Sequence, residues 1–184
     1  TPDLAAFLIL QMDVLSELAG RFGKEDDAAA WKAKSDTMLA NMLEKLYDNG
    51  EPHALDGLDN RVYKCDTLLF YLPLILGDRL PEEIRTKGIA TLKSDKFVTA
   101  NGFATESPAS SRYEDDGYWR GPIWAPSTFI IIDGLTECGE KEFAKVMVER
   151  FCDMMSKSGC AENFDAITGE GLRDLAYTWT ASVM

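Results

Sequence analysis

With 184 residues, 46% of them hydrophobic, the chain is long and apolar enough to bury a single-domain core, which excludes a disordered or fibrous protein. A formal charge of −12 excludes a nucleic-acid partner, because phosphate binding requires a basic face, and it disfavours an anionic membrane surface equally. No apolar run, including Phe129–Ile132, approaches the ~20 residues of a membrane span.

Capping and periodicity predict about seven helical segments. The first covers roughly 1–22, with Thr1 as N-cap, Pro2 at the first helical position, and Leu4, Leu8, Leu15, Leu18 and Phe22 recurring at helical spacing. The second starts at Asp26 or Asp27, aligns Trp31, Met38, Met42 and Leu46, and stops at Asp48-Asn49-Gly50. The third, near 66–76, is apolar on almost every side and is expected to be fully buried, with Pro73 kinking it. The fourth opens at Pro81, followed by Glu82 and Glu83 where the helix dipole favours negative charge. A fifth, again almost wholly apolar, follows Pro122 and runs through Ile132. The sixth, 140–158, is amphipathic through Phe143, Met147, Phe151 and Met154, and the seventh begins near Leu172 and carries Tyr177 and Trp179. No strand alternation is visible, so the expected class is all-α.

The apolar and amphipathic segments alternate, as a double-layered helical ring requires. Inner helices touch neighbours all round, and outer ones keep a wet face. Connections alternate too. Those at 77–80 and around Gly139 are tight, while 49–65, 94–121 and 159–171 are long. If consecutive helices are antiparallel, the three long loops share one rim, the place where a rigid scaffold usually carries function.

Two of these loops have unusual composition. Tyr118-Trp119-Arg120-Gly121-Pro122-Ile123-Trp124 packs aromatic rings and a guanidinium against a helix start. Such rings stack on the C–H faces of sugars, and Arg bonds hydroxyls; equally, Trp119 and Trp124 can plug the mouth of a buried helix. In the loop 160–171, Glu162 has small and apolar neighbours instead of Lys or Arg. It reads either as a partly desolvated carboxylate of the kind a general base needs or as a solvated loop residue. Asp165, Thr168 and Gly169 look like turn chemistry. Asp115 and Asp116 lack further ligands at metal spacing and read as a solvated pair. His53 alone supports no zinc site. No cofactor fingerprint is present. Cys65, Cys138, Cys152 and Cys160, without CxxC spacing, read as reduced thiols. With no visible targeting segment, the expected location is cytoplasmic.

The stretch Ser107-Pro108 … Tyr118-Trp119-Arg120-Gly121-Pro122-Ile123-Trp124, followed about forty residues later by Ala161-Glu162-Asn163-Phe164-Asp165 … Thr168-Gly169-Glu170-Gly171 … Trp179-Thr180, resembles glycoside hydrolase family 63 and its mannosylglycerate- and glucosylglycerate-hydrolase-like bacterial members. The likeness runs essentially end to end, and the trehalases of family 37 share a similar plan. It implies an (α/α)6 barrel and inverting hydrolysis of an α-glycosidic bond, in the α-glucoside or α-mannoside class. It also implies Glu162 as general base and Tyr118, Trp119, Arg120 and Trp124 as carbohydrate-contacting positions, with no metal or cofactor.

In that family the general acid is an Asp on a Gly/Trp/Asp-rich loop of the N-terminal half, and no such loop occurs here. Thr1 stands where a Met would open a reading frame. The expectation is therefore that residues 1–184 form the C-terminal half of a catalytic domain. The missing N-terminal half of the barrel would be its partner, the isolated chain would be inert, and its exposed barrel edges would self-associate. The alternative is a non-catalytic helical carbohydrate-binding module.

Overall fold

The computed structural model describes residues 1–183, and the chain divides into two compact units, Thr1–Cys65 and Asp66–Met184. In the first, helix α1 (Pro2–Arg21) and helix α2 (Glu25–Leu46) pack antiparallel. The hydroxyls of Ser35 and Ser16 mark the crossing: Ser35 Oγ donates to Asp13 Oδ1 (2.8 Å) and Ser16 Oγ to Ala28 O (2.8 Å). Small polar residues there let the backbones approach while keeping their own hydroxyls satisfied. Thr1 occupies the N-cap position without a side-chain cap bond, and Pro2 sits in the first turn as expected.

Asp48-Asn49-Gly50 does end α2, by way of a hairpin. Strand β1 (Tyr47–Asp48) pairs with β2 (Glu51–Pro52) across Asn49 (φ 51°) and Gly50 (φ 78°), the two positive-φ positions that a tight two-residue turn demands. A second ladder joins β3 (Ala54–Leu55) to β4 (Val62–Tyr63). Between the two ladders His53 is buried, its Nε2 3.0 Å from Lys45 O.

The second unit is built on a buried segment of 3₁₀ turns, Leu68–Arg79, rather than the expected α-helix. Pro73 removes a backbone donor within it, and Gly77 (φ 51°, ψ −128°) breaks it near its end. Helix α3 (Glu82–Lys93) follows. Helix α4 (Ala125–Glu137) lies against the 3₁₀ segment so closely that a Cβ on Gly134 would stand 2.8 Å from Ile75 N. Helix α5 (Lys141–Ser158) packs on α4, and Ala144, Met147, Phe151, Met154 and Met155 are its buried residues. In this unit the apolar segments 68–79 and α4 therefore face each other, with the amphipathic α3 and α5 laid against them, as the alternating pattern implied for these four.

The seventh segment differs from expectation. Gly171–Leu172 forms strand β6, paired with β5 (Asn163–Phe164), and helix α6 covers only Thr178–Ala181 among the described residues. The β5–β6 ladder captures Leu172, and Arg173 with φ 62° then turns the chain away from helical geometry. Each of the three described ladders is two residues long, too short to leave an alternation in the sequence.

Candidate active site

Loops 94–124 and 159–177 of the second unit meet edge to edge. Ile123 bridges Phe164 with reciprocal backbone hydrogen bonds of 2.7 and 3.0 Å, which adds Ile123 as a third strand to the β5–β6 ladder. Beneath them Ile123, Phe164, Ala161, Ala166 and Ala104 join Phe151, Met154 and Met155 of α5 in one cluster. The loops thus rest on a helix-backed apolar floor, which fixes their functional side chains. The remaining long loop, 49–65, belongs to the first unit.

The aromatic loop is locked by its own polar groups. Glu114 and Arg120 pair through the backbone (2.9 Å) and through an Arg120 Nη2–Glu114 Oε2 ion pair of 2.8 Å. Thr105 accepts from Gly121 N and donates to Pro122 O at 2.8 Å. Gly121 is obligatory, since a Cβ there would lie 2.1 Å from Glu114 O. Trp119 stacks on Trp124 with centroids 4.1 Å apart and planes 9° from parallel. Tyr118 and Trp179 meet the Trp124 ring edge-on at 4.8 and 5.3 Å. Trp124 is fully buried, and its Nε1 donates to Tyr118 O (2.8 Å). It supports the cluster from below, while the half-buried Trp119 and the exposed Tyr118 form its outer part.

Glu162 sits at the edge of this cluster and is half-buried. Its backbone N–H donates to Asp174 O (2.7 Å), and its carbonyl accepts from Trp179 Nε1 (3.3 Å). Its Oε1 accepts the Tyr118 hydroxyl at 3.3 Å. Partial desolvation first, and then the negative charge and hydrogen bond of Glu162, hold the Tyr118 phenol above its ordinary pKa, so it stays a donor at neutral pH. The turn chemistry read from the sequence is present: Asp165 Oδ1 accepts from Ile167 N (2.7 Å) and Thr168 N (2.9 Å), and Gly169 takes φ 76°.

Four of the five sequence-derived positions therefore meet: Tyr118, Trp119 and Trp124 in one aromatic cluster, and Glu162 bonded to Tyr118. Arg120 is held by Glu114 on the exposed rim of the loop. Asp116 is ion-paired with Arg173 (2.6 Å), and no group of three metal-ligating side chains exists among the described residues. Arg173, Thr105 and Asn101 do not stand out in the sequence, and Trp179 does so only on the last predicted helix and in the motif ending Trp179-Thr180. Arg173 stands beside Asp174 like any solvated charge, and Thr105 and Asn101 act through backbone groups distant in the chain. The Trp179 indole was the one visible signal, an aromatic residue near the end of the Glu162 loop.

A helical scaffold carrying a carboxylate beside a stacked aromatic floor has the makings of a carbohydrate-active enzyme. Residues 1–180 match the family model of the mannosylglycerate hydrolase MGH1-like glycoside hydrolase domain. The chain belongs to that family. It is 27% identical over 177 residues to a mannosylglycerate hydrolase of Rubrobacter radiotolerans, covering 92% of this chain and 39% of that protein. It is 25% identical over 170 residues to mannosylglycerate hydrolase MGH1 of Selaginella moellendorffii, covering 90% and 34%.

Among solved structures, the family 63 mannosylglycerate hydrolase of Thermus thermophilus in complex with glucose superposes with a TM-score of 0.80 at 22% identity, over 97% of this chain and 46% of that one. Neutral trehalase Nth1 of Saccharomyces cerevisiae does so with 0.76 at 18% identity, over 100% and 36%. These likenesses show the fold, that of the (α/α)6 barrel enzymes. The chain spans between a third and a half of the length of these relatives. No helix among the described residues is long and apolar enough to cross a membrane.

Proposed function

We propose that this chain contributes the general base and part of the sugar floor of an inverting glycoside hydrolase acting on an α-glycoside of the mannosylglycerate or glucosylglycerate type. The observation that carries this reading is the Glu162 carboxylate, half-buried at the edge of the Tyr118–Trp119–Trp124 cluster with one oxygen held by a phenol. The substrate class is taken from the relatives' activities. In the reaction, the oxygen of a water attacks the anomeric carbon while Glu162 Oε2 takes the water's proton. The glycosidic C–O bond breaks, and the departing oxygen receives a proton from an acid.

That acid is an Asp in the half of the barrel that residues 1–184 do not match, so residues 1–184 alone are inactive. The exposed Leu4, Leu18 and Phe22 of α1 support the companion proposal that the isolated chain self-associates. A cytoplasmic location is part of the proposal, and the four free thiols fit a reducing compartment.

The test is hydrolysis of α-mannosylglycerate and α-glucosylglycerate by the full gene product, followed by NMR before mutarotation. The β-hexose should appear first. Initial release of the α-anomer, or turnover of neither substrate, would reject the proposal.

A further inference from the structure

Arg173 contacts the site at Asp116, Asn163 and Tyr118. Its Nη1 lies 2.6 Å from Asp116 Oδ1 and donates to Asn163 Oδ1 at 3.1 Å, and Nη2 donates to Asp116 O at 3.4 Å. Its Cζ lies over the Tyr118 ring, 4.8 Å from the centroid. One planar fork thus joins Asp116 and Tyr118 of the aromatic loop to Asn163, the residue that follows Glu162. Asn163 and Asp116 fix the direction of the fork, and the guanidinium so held restricts the phenol ring.

Backbone geometry on both sides of the contact is costly. Tyr118 has φ 59° and Arg173 φ 62°, a region that non-glycine residues occupy only when surrounding contacts hold them there. Here those contacts are mutual. The Tyr118 ring so restrained places its hydroxyl on Glu162 Oε1, and this is the one hydrogen bond to that carboxylate among the described residues. No described residue bonds the second oxygen.

We propose that Arg173 is a positioning residue for the reaction: it holds Tyr118 against Glu162 Oε1, so that Oε2 is presented to the attacking water. This rests on Glu162 being the base. It adds a residue that acts through Tyr118.

A double-mutant cycle in the full gene product tests it, with R173Q, Y118F and the double variant compared by kcat and KM. Misplacing a reacting group by about 1 Å costs on the order of 100-fold, so R173Q should lower kcat by about 10- to 100-fold and change KM by less than about threefold. In the Y118F background the same substitution should cost less than about threefold in kcat, because the bond it served is gone. R173K keeps the charge but cannot span Asp116 and Asn163 together, and should fall between wild type and R173Q.

Equal losses in both backgrounds, or a loss confined to KM, would overturn the proposal. If R173Q does not fold, D116N, which removes one anchor and leaves the guanidinium, enters the same cycle with the same expected coupling. E162Q distinguishes failure of the positioning role from failure of the base assignment. If it is inactive while the cycle is additive, only the role of Arg173 falls. If it keeps wild-type turnover, Glu162 is not the base and the positioning role falls with it.

Discussion

The two loops that form the site are held in different ways. The aromatic loop is closed largely from within: Glu114 and Arg120 pair twice, Trp124 Nε1 bonds Tyr118 O, and Trp119 stacks on Trp124. The Glu162 loop has its own β5–β6 ladder and Asp165 turn, and in addition it is anchored by residues from elsewhere. Ile123 bridges Phe164, Asn101 Nδ2 donates to Ile167 O (3.0 Å), and Thr180 Oγ1 donates to Ala161 O (2.6 Å). A sugar platform needs a rigid shape and can be specified locally, by residues a few positions apart. The proposed general base needs a position relative to a substrate, which contacts beyond its own loop help to fix.

The sharpest way to break the self-contained loop is Gly121→Ala. With a Cβ 2.1 Å from Glu114 O, the backbone must move, and a loss of at least about 3 kcal/mol in denaturant unfolding is expected. The stacked pair separates support from contact. Trp124→Ala empties a fully buried site and should cost about 3–5 kcal/mol. Trp119→Ala should cost clearly less in stability and instead remove sugar-dependent changes in tryptophan fluorescence. On the externally anchored loop, Asn101→Ala deletes the amide bonds to Ala166 O and Ile167 O and should cost about 1–2 kcal/mol, seen as faster amide exchange at 165–170.

Tyr113, beside the Glu162 loop, gives a pH test. Burial first, and then the charges of Asp165 and Asp115, push its phenol up to about 12. The folded state then keeps a proton that the unfolded chain loses near pH 10, so stability should fall between pH 10 and 12. Tyr113→Phe should flatten that part of the curve. The smallest effect belongs to Arg120→Gln, which breaks an exposed ion pair and should change stability by less than about 1 kcal/mol.

The helices were legible in the sequence because burial imposes a period on their side chains. Pro2, Pro81 and the stripe of α5 marked their elements to within a few residues. The 3₁₀ character of 68–79 was not legible, since a uniformly apolar run has no phase to betray its pitch and only Pro73 hinted at a departure. The last predicted helix was misplaced because Leu172 and Trp179 fit a helical spacing, whereas the partners that bind this segment lie at 160–164.

At the site, Tyr118, Trp119, Trp124 and Glu162 stood out by composition and by motif. Arg173 did not, because its role depends on Asp116 and Tyr118, which lie more than fifty positions earlier. The residues proposed for the chemistry left a mark in the sequence, while those proposed for placement became visible only in three dimensions.

The most direct test of Glu162 as general base is the turnover of Glu162→Ala in the full gene product, with circular dichroism and substrate affinity measured alongside. The expected result is an unchanged fold, retained substrate binding and a kcat reduced by about 10²- to 10⁴-fold or more, the usual scale of a lost general base. A folded variant turning over within about tenfold of wild type would contradict that role, because so small a loss falls well short of this scale.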